Sequence, residues 1–168
     1  MVGLSLGLKK NSSFTPTSNT ETVLALLRNP EYAVYGSTTT KNARSLSAGE
    51  AAFNEASLDE RGKLAEETLV NVGGRSRAGA YSKSGGGGGG SAAGDDELVV
   101  VTLLVAARGG LALPAVTSGP ELRTALNRLG AVPSDNVLAV EVLWTPQDPK
   151  DRYFRSDAVA DYPELNVL

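Results

Sequence analysis

Glu97-Leu98-Val99-Val100-Val101-Thr102-Leu103-Leu104-Val105-Ala106 is the stretch on which the fold turns. Between its first residue and its last, Thr102 alone is polar. An apolar, Val-rich run of this length, with Asp95-Asp96 before it and Gly109-Gly110 after it, reads as a strand covered on both faces. It is the most buried element the sequence predicts. Gly109-Gly110 permits a tight hairpin turn, and Leu111 to Val116 is predicted to return as a shorter strand around Pro114.

Working outward, Val2, Leu4, Leu6 and Leu8 alternate with Gly3, Ser5 and Gly7, the period of a half-buried strand. Ser18-x-x-Glu21 is a capping-box pattern, and a helix is expected from about Thr20 to Arg28, ended by Pro30. Tyr32, Val34 and Tyr35 form an apolar aromatic cluster closed by Gly36. A Thr/Ser-rich loop is expected from there to Leu46. Ser47-x-x-Glu50 and Ser57-x-x-Glu60 each start a short helix, the second with Leu58, Leu64, Ala65 and Leu69 as its stripe. Ser118-x-x-Glu121, with Pro120 in the first turn, starts another, with Leu122, Leu126 and Leu129 inward and Gly130 as its stop. Val137 to Trp144 is a second long strand. Ser156 to Tyr162 is expected as a last short helix before Pro163.

The predicted class is α+β: one mixed sheet with helices packed on one face, in the ferredoxin-like β-α-β-β-α-β order. That order puts the second strand at a sheet edge, yet Leu98 to Ala106 is the most apolar strand of the chain. Either helices cover its outer face, or the strand order differs.

The chain has 168 residues, 41% of them hydrophobic, which suits one globular domain over 1–168. Residues 73–94, with six consecutive glycines from Gly85 to Gly90, read as a flexible Gly/Ser-rich insert. There is no Cys and no His, which removes disulfides, Cys/His zinc sites and any histidine base. The net charge is −3, without the basic footprint of a nucleic-acid binder. Lys9 with Lys10, and Arg75, Arg77 and Lys83, read as solvated loop charges. No apolar run reaches the ~18–20 residues of a bilayer span, so no transmembrane segment is expected. The N-terminal residues do not have the form of a secretory signal.

Searches for chemistry return little. Gly85-x-Gly87-x-x-Gly90 matches a dinucleotide fingerprint only because every residue there is Gly; it neither follows a strand nor opens a helix. Ser76 between Arg75 and Arg77 has no histidine to activate it and reads at most as a phosphosite. Asp95-Asp96-Glu97, and Asp148 with Asp151, lack the spacing of a cation loop. No cofactor and no metal are expected. Glu141 stands mid-strand among apolar neighbours, where it either meets solvent or an Arg partner, or serves as a functional acid with a shifted pKa. Trp144 and Gln147 follow the strand end. With Tyr32 and Tyr35 they are candidates for binding a partner, Trp being enriched at such hot spots, although packing is the commoner use.

Several blocks together resemble a known family. They are Leu24 to Gly36 (L-A-L-L-R-N-P-E-Y-A-V-Y-G), Ala51 to Val72, Glu97 to Ala107, Leu122 to Gly130, Leu138 to Gln147 (L-A-V-E-V-L-W-T-P-Q) and Asp161 to Leu165 (D-Y-P-E-L). The chain resembles the domain-of-unknown-function family of cyanobacterial and chloroplast proteins whose plant member acts in fluctuating-light acclimation. Ala33 departs from the Trp that the family favours after the tyrosine. The resemblance implies a plastid or cyanobacterial setting with thylakoid or envelope association, as a partner complex or peripherally on the membrane. It implies a regulatory, non-enzymatic role in adjusting the proton gradient and thermal dissipation. The alternative is a small-ligand-binding domain or a carboxylate-only enzyme with Glu141 as its acid.

The insert yields one direct expectation. Loop-closure entropy varies slowly with length, so deleting Gly85 to Gly90 shifts the melting temperature by less than about 2 °C. A larger drop in a thermal melt means that this stretch contributes ordered structure.

Overall fold

The structure, a computed structural model, describes residues 1–9, 26, 28, 29, 32–72, 97–146 and 153–168, with 64–72 described by their backbone alone. The described residues form five strands: β1 (Val2–Lys9), β2 (Ala33–Thr40), β3 (Leu98–Ala107), β4 (Val137–Thr145) and β5 (Asn166–Val167). Among the described residues three α-helices accompany them: α1 (Leu46–Val72), α2 (Gly119–Gly130) and α3 (Arg155–Asp161). The strands form one sheet in the order β4-β3-β1-β2-β5. Every neighbouring pair is antiparallel, so the sheet is not mixed.

The apolar run does form an interior strand. β3 pairs with β1 from Val2↔Val105 to Lys9↔Leu98 and with β4 from Val100↔Thr145 to Ala107↔Val137. It is buried from Val100 to Ala106. Of the two ways to cover it, both operate: helices lie on both faces, and the strand order is not the ferredoxin-like one. The expected strand Leu111–Val116 does not form. Pro114 has no N–H for a ladder, and its carbonyl instead accepts from the Thr38 hydroxyl at 2.7 Å. Val116 plugs the core at 1% exposure. The place of that strand beside the sheet centre is taken by β2, where a loop was expected. Its Thr-rich half, Thr38 to Thr40, pairs with Val2 to Leu4, and β-branched Thr suits a pleated edge.

The two faces of the sheet differ in chemistry. Val2, Leu4, Leu6 and Leu8 of β1 lie beside Val101, Leu103 and Val105 of β3 and Val140, Val142 and Trp144 of β4. Onto this face α2 lays Leu122, Ala125, Leu126 and Leu129, as its spacing predicts. Gly130 belongs to the helix, and Ala131 caps it. Instead of accepting from the backbone as an N-cap does, the Ser118 hydroxyl donates to Glu121 at 2.9 Å. Glu121 also accepts from the Thr117 N–H and hydroxyl at 2.9 and 2.7 Å. These bonds, the Thr117 hydroxyl first, lower the pKa of this exposed carboxyl.

The other face carries Gly3, Ser5 and Gly7 of β1 against Ser37 and Tyr35 of β2 and Thr102 and Val100 of β3. It is not a solvent face: β1 is buried from Val2 to Leu8 on both sides. α1 covers the β3–β4 part of it, and α3 with Tyr153 and Tyr162 covers Leu98, Val100 and Tyr35. α1 is one helix, not two meeting at a corner. Ser57 and Glu60 turn toward the sheet instead of capping a new start, and Leu58 is 69% exposed. Leu64, Ala65 and Leu69 lie where side chains are not described, the expected Thr20–Arg28 helix lies largely outside the described residues, and so does the Gly-rich insert.

Gly36 sits on the leucine face opposite Leu6. A Cβ there would stand 2.8 Å from Val116 Cγ1 and 3.3 Å from both Leu6 and Leu168 side-chain atoms. Gly36→Ala is therefore overpacked by about 1–3 kcal/mol, a melting-temperature loss of roughly 3–10 °C. Adding Val116→Ala to it recovers part of that loss in a double-mutant cycle.

Candidate functional site

Five side chains from separate parts of the chain converge on the polar face. Ser5 at the middle of β1 and Thr102 at the middle of β3 are cross-strand neighbours with hydroxyls 3.1 Å apart. The Thr102 hydroxyl donates to Glu60 Oε2 at 3.4 Å. Lys63, one turn along α1, donates to Glu60 Oε1 at 3.0 Å, and its ammonium lies 4.0 Å from the centre of the Tyr162 ring. The Tyr162 hydroxyl is hydrogen-bonded with Glu60 and Thr102. Glu60 is only 12% exposed. A carboxylate taken that far from water costs several kcal/mol unless charge and hydrogen bonds answer it. Here an ammonium, a phenol and a hydroxyl do so.

A second pair adjoins it. Tyr153 donates to Asp161 Oδ2 at 3.0 Å. Burial, reinforced by the Asp161 charge, pushes the Tyr153 phenol far above its ordinary range. Burial, reinforced by Glu60, does the same to Tyr162. Both phenols thus stay protonated donors, which fixes the direction of their hydrogen bonds. Among the described residues no group of three or more acidic side chains is placed to hold a metal ion.

The sequence candidates are distributed differently. Glu141, on the polar face of β4, accepts from Arg61 Nε at 2.9 Å and from Arg61 Nη2. Burial alone would raise its carboxyl; the Ser57 hydroxyl and the Arg61 guanidinium outweigh that and hold it below the usual range. Arg61 is thus the partner of Glu141 on this face. Tyr32 is 37% exposed. Tyr35 is buried on the polar face under Arg155, whose guanidinium is 5.6 Å from the ring centre. Trp144 packs into the leucine face. The sheet therefore separates Tyr35 from Trp144, and they share no surface. Gln147, Ser76, Asp95, Asp96, Asp148, Asp151, Lys10, Arg75, Arg77 and Lys83 lie outside the described residues. Glu97 bridges to Phe154 at the start of β3.

The converging set was hidden behind other uses of the same residues. Glu60 reads as a capping residue, Thr102 as a lapse in an apolar run, Ser5 as an outward strand position and Tyr162 as a helix end. The available signal was the single hydroxyl in an otherwise apolar, doubly covered strand: a buried Thr needs a partner.

A separate cavity of about 730 Å³ opens at the first turn of α1, beside the end of β3. Arg44, Leu46, Phe53, Arg108 and Leu138 are among the residues that line it.

The tyrosines give the network a pH signature. Each phenol is protonated in the folded chain well above the pH at which an unfolded tyrosine ionises, near 10. Between those values the unfolded state has lost a proton that the native state keeps, so stability falls as pH rises past about 10. In denaturant melts between pH 8 and 11, Tyr153→Phe combined with Tyr162→Phe flattens that fall. At pH 8 Tyr162→Phe alone costs about 1–3 kcal/mol, because Glu60 loses a buried donor.

Known proteins place this arrangement in a lineage. The chain is 45% identical over 150 residues to Protein FLAP1 homolog A of Synechocystis sp. (strain ATCC 27184 / PCC 6803 / Kazusa), covering 88% of this chain and 45% of that protein. It is 40% identical over 149 residues to FLUCTUATING-LIGHT-ACCLIMATION protein 1, chloroplastic, of Arabidopsis thaliana, covering 89% of this chain and 37% of that protein. The chain thus spans less than half the length of these two curated relatives. No solved structure matches it significantly. The model of the family described as "Protein of unknown function (DUF1517)" matches residues 10–168, and the chain belongs to that family.

Proposed function

We propose that the chain is a regulatory, non-enzymatic domain of the photosynthetic apparatus, acting in acclimation to fluctuating light. The observation that carries this reading is the 45% and 40% identity to two proteins from a cyanobacterium and a chloroplast, the second of which is named for that role. The finer content is adjustment of the proton gradient and of thermal dissipation, at the thylakoid or envelope, through a partner complex or peripheral contact.

The geometry supports a binding and scaffolding role in one respect. The ionisable groups on the polar face are engaged with one another: Glu60 with Lys63, Tyr162 and Thr102, Tyr153 with Asp161, Glu141 with Arg61. Groups so engaged hold layers together, whereas proton transfer needs a group poised near the working pH.

The test is a domain exchange. This chain replaces the matching segment of the Synechocystis relative, in cells otherwise lacking that relative. Growth, chlorophyll-fluorescence quenching and the electrochromic signal of the thylakoid field are then followed under constant and fluctuating light. Restoration of all three under fluctuating light, with no difference under constant light, is the expected outcome. An accumulated chimera that leaves quenching and field as in the deletion overturns the reading.

A further inference from the structure

We propose that the cavity at the first turn of α1 binds a small amphiphilic anion, a carboxylate or phosphate head on an apolar body. The inference stands apart from the light-acclimation reading. The cavity, about 730 Å³, is within the range of small-molecule sites, roughly 300–1,000 Å³. Its lining includes two arginines, Arg44 in the loop before α1 and Arg108 just after β3. Neither side chain has an ion pair or hydrogen bond among the described residues. Elsewhere the exposed cations beside α1 are engaged: Lys41 pairs with Glu55 and Arg61 with Glu141.

The potential at this opening is positive beyond the two arginines. α1 has no acidic residue in its first turn; the Ser45 hydroxyl accepts from the Ala48 N–H, and the partial positive charge of the helix N-terminus adds to that of the arginines. Glu50 is the one carboxylate in the lining, set against two guanidiniums. Guanidiniums also match the fork of a carboxylate or phosphate. The apolar half of the ligand follows from the rest of the lining. Leu46 and Leu138, 53% and 41% exposed, are two of the few large exposed hydrophobics, and both border this one opening, with Phe53 behind them. Gly109 and Gly110, at φ +85 and +72, make the exposed turn beside Arg108, and no atom beyond their chain neighbours lies within 4 Å of a Cβ placed there.

The probe is decanoate, kept below its micelle concentration, titrated into the full chain and read by calorimetry and by thermal melting. Saturable binding that raises the melting temperature is expected. Affinity falls by about tenfold or more in Arg44→Gln combined with Arg108→Gln, since a charge-assisted contact is lost at each position. Leu46→Ser also weakens it, and Arg123→Gln, which removes a positive charge on α2 away from the cavity, leaves it unchanged. Variants are compared after circular dichroism and ligand-free melts match those of the parent. The proposal is overturned by any of four results: no saturable binding, binding indifferent to both arginines, decanol binding as tightly as decanoate, or inorganic phosphate binding as tightly as decanoate. Arginine-dependent binding to phosphatidylglycerol vesicles without binding of decanoate also overturns it, and would mark a membrane-surface patch instead.

Discussion

A carboxylate buried between a helix and a sheet is the constraint from which most of this structure follows. Glu60 has given up nearly all its water, and an ion in that position is tolerable only with every partner in place. The network that answers it draws on residues far apart in sequence, with Lys63 the one local member. Thr102 belongs to the apolar strand, Ser5 to the first strand, Lys63 to the same helix and Tyr162 to the segment that ends the chain. α1 cannot shift along the sheet without stranding Glu60. The residues 153–168 cannot leave without removing Tyr162. The leucine face supplies cohesion without much direction, because apolar burial is proportional to area and non-directional. The polar face supplies the register.

The unusual composition of β1 follows from the same demand. Its inner leucines are ordinary core. Its other side is Gly3, Ser5 and Gly7, and that side is buried too. A Cβ on Gly7 would lie 3.1 Å from two atoms of Tyr35, so Gly7 gives the Tyr35 ring its place. Ser5 is the one member of the row with a polar atom, and it is the one beside Thr102. Small residues here are the consequence of covering a strand with hydroxyls and aromatic rings in place of aliphatic side chains.

How much of this could be read in advance depended on whether one pattern had one meaning. The run from Leu98 to Ala106 and the stripe Leu122, Leu126 and Leu129 were legible, since periodicity and burial agree there. β2 was not. Ser37 to Thr40 look like loop residues, and only pairing with β1 on one side and β5 on the other makes them strand. Propensity for strand is mostly context. Ser57-x-x-Glu60 was read as a second helix start because the capping box and a polar helix stripe share a spacing: positions i and i+3 lie on one face. The structure uses the stripe. The apolar stretch Leu111 to Val116 reads as a strand before or around Pro114, and the missing N–H of that proline keeps it out of a ladder. The family resemblance was legible because it rests on side-chain identity across many blocks, which needs no decision about the fold.

The end of the chain joins the two faces and shows why neither is sufficient alone. Tyr162 closes the polar network, and six residues later Leu168 packs on the leucine core. Between them Asn166 adds the last strand rung, opposite Gly36. Its amide donates to the carbonyls of Gly36 and Val116 at 3.4 and 3.2 Å. Val116 is also the tightest contact that a Cβ on Gly36 would meet. One short segment therefore fastens the irregular stretch 111–116 to β2 and closes the helical layer over Thr102. The polar network and the apolar core are thus mechanically one unit. The cavity borders it at the first turn of α1, the helix whose middle is held to the sheet through Glu60 and Arg61. That mount holds the ends of two elements beside one opening, so the backbone positions of Arg44, before α1, and Arg108, after β3, are set by the same packing.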